Sequence, residues 1–314
     1  MNKLTESALL AMDKFFLANK DENTLLHRAR LRAIVRAYGQ RWANDSELYE
    51  ALEVEKLLLG KIVSMDSGKD SGFTAGGKID AIIKERVGSK NLIVLDHKFL
   101  STEFTPEKAQ HLTIDGQPSQ YAYLCWANGI EVTHVLWDAV VKSLHRKGKN
   151  ESYESLEERI YGIYIEDNSK FSRFKVPVIK DNIAEYLNEL YHWAKEIGME
   201  SKGNVHLKSR GHCFEFNRAC KYLGICTGYS DSNDGTWNSG GTNHAELVLD
   251  KDINPFTILT NSRLKEYQTC RTKHHLHYNL GLSKIKEETE EPLFVGTAGH
   301  HGLQAYWETI ASGQ

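Results

Sequence analysis

The chain has 314 residues, of which 40% are apolar and 26% charged, which suits one large domain or one domain with appendages. No apolar run approaches the ~18–20 residues of a membrane span, and the opening MNKLTESALLAMDKFF mixes acids and bases without a secretory pattern. These features predict an intracellular protein with no membrane partner. A net charge of −3 does not mark a nucleic-acid binder, so distribution matters more than the sum. Arg28, Arg30, Arg32, Arg36 and Arg41 crowd one segment. Lys142, Arg146, Lys147 and Lys149 form a second cluster, and Lys202, Lys208 and Arg210 a third. Such clusters permit DNA binding but suit solvated surface equally well.

In chain order, Leu25, Leu26, Ala29, Ala33, Ile34, Ala37 and Tyr38 recur at helical spacing, so residues 4–42 are predicted helical. Residues 47–63 are apolar enough for a strand, and MDSGKDSGFTAGG (65–77) is a glycine-rich turn region. GKIDAIIK (77–84) and NLIVLDHKFL (91–100) are predicted strands joined by the tight turn RVGSKN. DGQPSQYAYLCWA (near 116–128) is predicted helical, VTHVLWDAVV (132–141) a strand, and 181–197 an amphipathic helix. The order predicts an α/β fold, helices layered on a mixed sheet. GYSDSNDGTWNSGGTNH then shifts the composition toward a flexible linker, placed at 228–255. Residues 1–227 form the predicted core and 256–314 a mainly helical segment.

A hairpin centred on Gly88 puts Asp80 directly opposite Asp96. Opposed residues have Cβ atoms about 4.5–5.5 Å apart, and two like charges there are destabilising unless a cation lies between them. Lys98, two residues beyond Asp96, projects from the same face. Two carboxylates and an ammonium are the minimum set for holding Mg²⁺ or Mn²⁺ beside a scissile phosphate. Asp-x-Lys alone is equally an exposed hairpin pattern. The flanks favour function, because Asp96 ends the apolar run LIVL and Asp80 interrupts KIDAII, and charges in core strands need a reason.

GKIDAI, then VLDHKFLST, then DGQPSQYAYL is similar to the PD-(D/E)XK nucleases of the RecB-like group, with their G-x-x-D, (D/E)-x-K and Q-x-x-x-Y pattern. Phage and prophage members resemble it over nearly the whole chain. The resemblance implies a restriction-endonuclease-like core. It implies that Asp80, Asp96 and the main-chain carbonyl of His97 ligate the metal. Lys98 would orient the attacking water or offset charge on the phosphate. Gln117 and Tyr121 would contact the DNA backbone or brace the site, although Tyr121 suits a core aromatic as well.

An odd count of five cysteines argues against a disulfide framework. Cys125, in YAYLCWA, is predicted to be a buried small hydrophobe. Cys213-x6-Cys220-x5-Cys226 falls where RecB-like members with an iron–sulfur cluster carry three cysteines. LTNSRLKEYQTCRTKHHLHYNLGL resembles the first helix of that domain, with Cys270 as the fourth cysteine and Arg271 where proline is usual. The resemblance implies a 4Fe–4S cluster, with Zn²⁺ as the alternative and unligated thiols as a third reading.

In the family that helix comes first, and so does the helix resembled by LFVGTAGHHGLQAYWE, in which His300 occupies the place of a further metal ligand. Here both come last, so the chain reads as a circular permutation of one nuclease domain. A truncated tandem copy and an assembly artefact of a circular or terminally repeated genome give the same order. The expected function is a metal-dependent DNA nuclease, an exonuclease of phage-type recombination, repair or DNA processing in a bacterial or phage-infected cytoplasm. A helicase or single-strand annealing protein would be its partner. The alternatives are a catalytically inactive DNA-binding or scaffold module and a product without function.

Overall fold

The computed structural model describes residues 2–19, 23–203, 206–215, 218–241, 244–248, 254–285 and 291–313. Helices α1 (Lys3–Ala18) and α2 (Thr24–Arg41) replace the single helical stretch expected over 4–42. Asn2 starts α1 by accepting the Thr5 N–H at 2.9 Å, an N-cap. The Asn19 side-chain amide closes it by donating to the Phe15 carbonyl at 3.0 Å. Residues 20–22 lie outside the described residues. Arg28, Arg32 and Arg36 of α2 pair with carboxylates, while Arg30 donates to the His145 carbonyl and Arg41 to the Asn168 side chain. Arg28 pairs with Asp13 at 2.8 Å, and Arg32 with Asp13 and Glu157 at 2.6 and 3.0 Å. That cluster ties helices together and is not a free cationic face.

After α3 (Asp45–Leu48) come β1 (Tyr49–Val63), β2 (Asp70–Glu85) and β3 (Leu92–Leu100). β2 begins inside the stretch expected to be a turn. Only Ser64–Lys69 turn, and Gly76 and Gly77 lie in the strand where other elements press on them. A Cβ on Gly77 would meet Leu124 at 3.0 Å and Tyr121 at 3.3 Å. α4 (Pro106–Leu112), α5 (Gly116–Ala127), β4 (His134–Val141), α6 (Tyr153–Glu166), β5 (Phe171–Pro177) and α7 (Lys180–Glu200) follow. α4, α6 and β5 were not anticipated. Beyond them lie β6 (Phe214–Glu215), β7 (Arg218–Ala219), α8 (Leu223–Thr227) and β8 (Trp237–Asn238). The chain continues through β9 (Ile258–Leu259), α9 (Asn261–Thr269), α10 (Arg271–His274), β10 (Ser283–Lys284) and α11 (Glu291–Ala311). Of the stretch expected to be a linker, 242–243 and 249–253 lie outside the described residues. Within its described part Trp237 and Leu247 are buried, and β8 pairs with β10.

The central sheet runs β1-β2-β3-β4-β5, antiparallel except for the parallel β3–β4 pair. β9 adds a parallel strand to β2 at Thr74 and Ala75, whereas β3 pairs with β2 only at Ala81–Lys84. The sheet therefore forks beside residues 76–80 of β2. Gln120 fills the fork, its amide donating to the Gly76 carbonyl at 3.0 Å and the Leu259 carbonyl at 3.3 Å. One core lies between the sheet and α1, α2, α6 and α11, and includes Ala81, Leu95, Phe294, Leu303 and Trp307. The other lies under α5, α7 and α9, and includes Ile82, Val94, Leu124, Leu190 and Tyr267. The fold is thus a mixed α/β layer structure, as expected from the sequence, with the final helix inside its first core.

Candidate active site

The site sits at the mouth of the fork. Ala81 pairs with Leu95, Ile82 with Val94 and Ile83 with Ile93, and the same index carried one step further sets Asp80 against Asp96. The strands part there. The Asp80 carboxylate accepts the His97 N–H at 2.7 Å, filling the place of the next ladder bond. Lys98 donates to Asp96 Oδ1 at 2.8 Å, and its ammonium lies 2.7 Å from Oδ2 out of hydrogen-bond alignment. Asp96 Oδ2 is thereby left buried without an aligned donor. Asp96 is only 2% exposed. Burial raises its pKa and the charge of Asp80 adds to this, while Lys98 opposes both. The ammonium of Lys98 rests 5.0 Å from the centre of the Trp137 ring, which fixes its approach.

α5 covers this group. Asp115 caps it by accepting the Gln117 N–H at 2.8 Å, and Gln117, one turn before Tyr121, donates to the phenol oxygen at 2.8 Å. Burial, then the charges of Asp96 and Asp80, push the Tyr121 pKa well up. The phenol therefore stays an O–H donor. His300 arrives on α11 from the opposite end of the chain, with Nδ1 3.7 Å from Asp80 Oδ2 and its ring 5.6 Å from that of Phe99. Burial, then His97 and Lys98, lowers its pKa, which keeps a nitrogen lone pair available. The approach depends on Gly299, since a Cβ there would run into the Phe99 ring.

The His97 side chain turns to the other face of the sheet. Its Nδ1 lies 3.1 Å from Asp138 Oδ2. Arg173 joins Asp138 at 3.2 Å and Asp45 at 2.6 Å, and Tyr38 donates to Asp138. Burial works against the charge of Asp138, yet Arg173 and His97 hold it well below the usual carboxylate range. The backbone N–H of His97 meets Asp80, and its ring lies 6.3 Å from that of His300. Sequence reasoning passed over Glu55 of β1 and Lys78 of β2, which form an ion pair. Lys78, two residues before Asp80 on the same strand, was the available signal.

Among the described residues no three His, Cys, Asp or Glu side chains already converge as a metal site. The donor set still fits a hard divalent ion: opposed carboxylates, a buried carboxylate oxygen without an aligned donor, and an imidazole beside them. Cys213, Cys220, Cys226 and Cys270 line one cavity of about 460 Å³. Burial raises the Cys226 pKa, and the other three thiols add to it against Lys208. All five cysteines are free. Cys125 stands apart in the core, its thiol pushed up to about 12 by burial.

A family model described as the PD-(D/E)XK nuclease superfamily matches residues 3–227 and 258–314. Among curated proteins none matches the chain. No helix among the described residues is long and apolar enough to cross a membrane. The matched stretches hold Asp80, Asp96, Lys98 and His300, the groups gathered at the fork, and the family implies nuclease activity on DNA. The chain belongs to the PD-(D/E)XK nuclease superfamily.

Proposed function

We propose that the protein is a RecB-like, Mg²⁺- or Mn²⁺-dependent deoxyribonuclease, an exonuclease of phage-type recombination, repair or DNA processing. The observation that carries this is the convergence of Asp80, Asp96 and Lys98 where β2 and β3 part. Asp80, Asp96, the His97 carbonyl and His300 would hold the metal, which when bound supplies a polarised phosphate and an activated water. Lys98 holds a positive charge where negative charge develops on the phosphate. Tyr121, kept protonated and oriented by Gln117, donates to a phosphate oxygen. His97 fixes Asp80 through its N–H, while its ring is anchored to Asp138 on the far side of β3. Purified protein given linear DNA with each metal tests the reading. Cleavage is expected. Salt-sensitive binding without cleavage under any divalent ion would replace this reading with a non-catalytic DNA-binding module.

Residues 1–227 and 256–314 would form one nuclease domain in permuted order, joined by the intervening segment. The position of His300 beside Asp80 supports docking in cis. Gly299→Ala tests it. Crowding Phe99 costs about 1–3 kcal/mol, against a helix-propensity gain of about 1 kcal/mol, so a net loss of stability of about 0–2 kcal/mol is expected. Cleavage is expected to fall roughly 10–100-fold as His300 is displaced. Unchanged rates would separate His300 from the reaction.

The four grouped cysteines would hold a 4Fe–4S cluster, or Zn²⁺ in its place. Anaerobically purified protein is expected to show a broad visible absorbance band that Cys226→Ser removes. A colourless protein with one bound zinc would decide for the alternative. A helicase or single-strand annealing protein would be the working partner.

A further inference from the structure

Beyond Leu95 the strand β3 parts from β2, so at His97 the ladder holds it on the β4 side, where His97 stands opposite Asp138. On the other side the His97 N–H meets the Asp80 carboxylate at 2.7 Å. A peptide on such an edge is as steady as its own side chain makes it. Here the ring is gripped. Its Nδ1 lies 3.1 Å from Asp138 Oδ2, a cross-strand pair in which both residues are buried. Asp138 is itself held, since Arg173 donates to its Oδ1 at 3.2 Å and Tyr38 donates to its Oδ2. Arg173 makes its shortest bonds to Asp45, a two-pronged pair at 2.6 and 2.7 Å. Asp138 is therefore a second buried carboxylate on one guanidinium. Stability does not call for it, because buried ion pairs are often replaced by apolar side chains of similar volume without loss.

We propose that Asp138 is a positioning residue for DNA cleavage: through the His97 ring it fixes the peptide whose N–H holds Asp80. This rests on the nuclease reading and adds to it a residue that touches none of the reacting groups. Asp80 faces the like charge of Asp96, so a charge-assisted bond from a fixed donor is what keeps it in place. The peptide of His97 supplies the donor. The buried chain of Asp45, Arg173 and Asp138 supplies the fixity, from the face of the sheet opposite Lys98. Any residue but proline would bring an N–H to this position; a histidine also has that N–H anchored from behind.

The test uses the full chain with Asp138→Asn, with His97→Leu and with both together. Deuterium exchange at the residue-97 amide is followed without metal or DNA. Initial cleavage rates on linear DNA with Mn²⁺ are measured below every melting midpoint. Each single variant is expected to speed exchange at that amide on the order of 10-fold and to slow cleavage about 10–100-fold. The double variant should be no slower than His97→Leu, because both changes cut the same link. A merely structural Asp138 would give effects that multiply, with exchange quickened along β3 and β4 alike, and that result overturns the proposal. His97→Leu leaves Asp138 with Arg173 and Tyr38, so it reads the link even where Asp138→Asn does not fold. Parental exchange and cleavage in His97→Leu also overturn the proposal. A parent chain that cleaves no DNA under any divalent ion instead removes the nuclease reading, and this role with it.

Discussion

Asp96→Asn is expected to lower DNA cleavage by on the order of 10³-fold or more while leaving the fold intact. The amide has nearly the shape of the carboxylate, so packing at the end of β3 is kept. What disappears is a negative charge at 2% exposure, and with it half of the opposed carboxylate pair that would grip the metal. Two costs vanish together: desolvation of the buried carboxylate and its repulsion from Asp80. Lys98 loses its partner, but its side chain is 24% exposed and can hydrate. Melting temperature is therefore expected to stay close to the parent value. Lys98→Ala should behave differently, since it strands a buried carboxylate, and leaving a buried charge uncompensated costs about 3–5 kcal/mol. Initial rates on linear DNA with Mg²⁺, together with thermal melts of both variants, distinguish the two. An Asp96→Asn protein that cleaves at the parental rate would remove the chemistry from this site.

Trp307→Ala is expected to destabilise the protein by about 3–5 kcal/mol, a large share of the ~5–15 kcal/mol that holds a domain together. Trp307 lies on α11 at 0% exposure. Its ring stands 6.3 Å from that of Tyr49, 5.9 Å from Tyr306 and 6.4 Å from His97. The void would open where α11 meets β1 and the site strand β3. Trp307→Phe is the informative control. The indole nitrogen is buried with no hydrogen-bond partner, so removing it relieves a penalty of about 1–3 kcal/mol that offsets much of the lost volume. Urea denaturation of the three proteins reads this directly. A parental midpoint in Trp307→Ala would mean that α11 does not dock on its own core in solution. Cleavage should follow stability here, because His300 rides on the same helix.

The hairpin at the site was legible because its determinants are local. An alternation of two residues and a turn at Gly88, whose φ is +84°, set the index that opposes Asp80 to Asp96. Lys98 follows from the same period. The amphipathic stripe of α7 was equally plain, with Ile183, Tyr186, Leu190, Ala194 and Ile197 buried at helical spacing. α6 was not, because its buried residues Leu156, Ile160 and Tyr164 are spread thinly among acids. Glycines misled where they admit neighbours rather than turn the chain: Gly76 and Gly77 lie in β2 under Ile258, Leu124 and Tyr121. Arg28, Arg32 and Arg36 of α2 looked like part of a basic patch because Asp13 and Glu157, which pair with them, lie on other helices.

The sequence by itself determined the short-range terms at the site: that the segments carrying Asp80 and Asp96 are paired strands, which carboxylates oppose one another, and which ammonium accompanies them. Resemblance of motifs extended this to His300 and Cys270 as residues of interest, but not to their positions. Tertiary structure alone decided that α11 returns to the first core, that β9 completes the fork, and that the four cysteines border one cavity. Local periods are written in the backbone and act between near neighbours. Contacts between distant segments depend on which apolar faces find each other, and closing a longer loop adds so little entropy cost that separation along the chain does not reveal the partner.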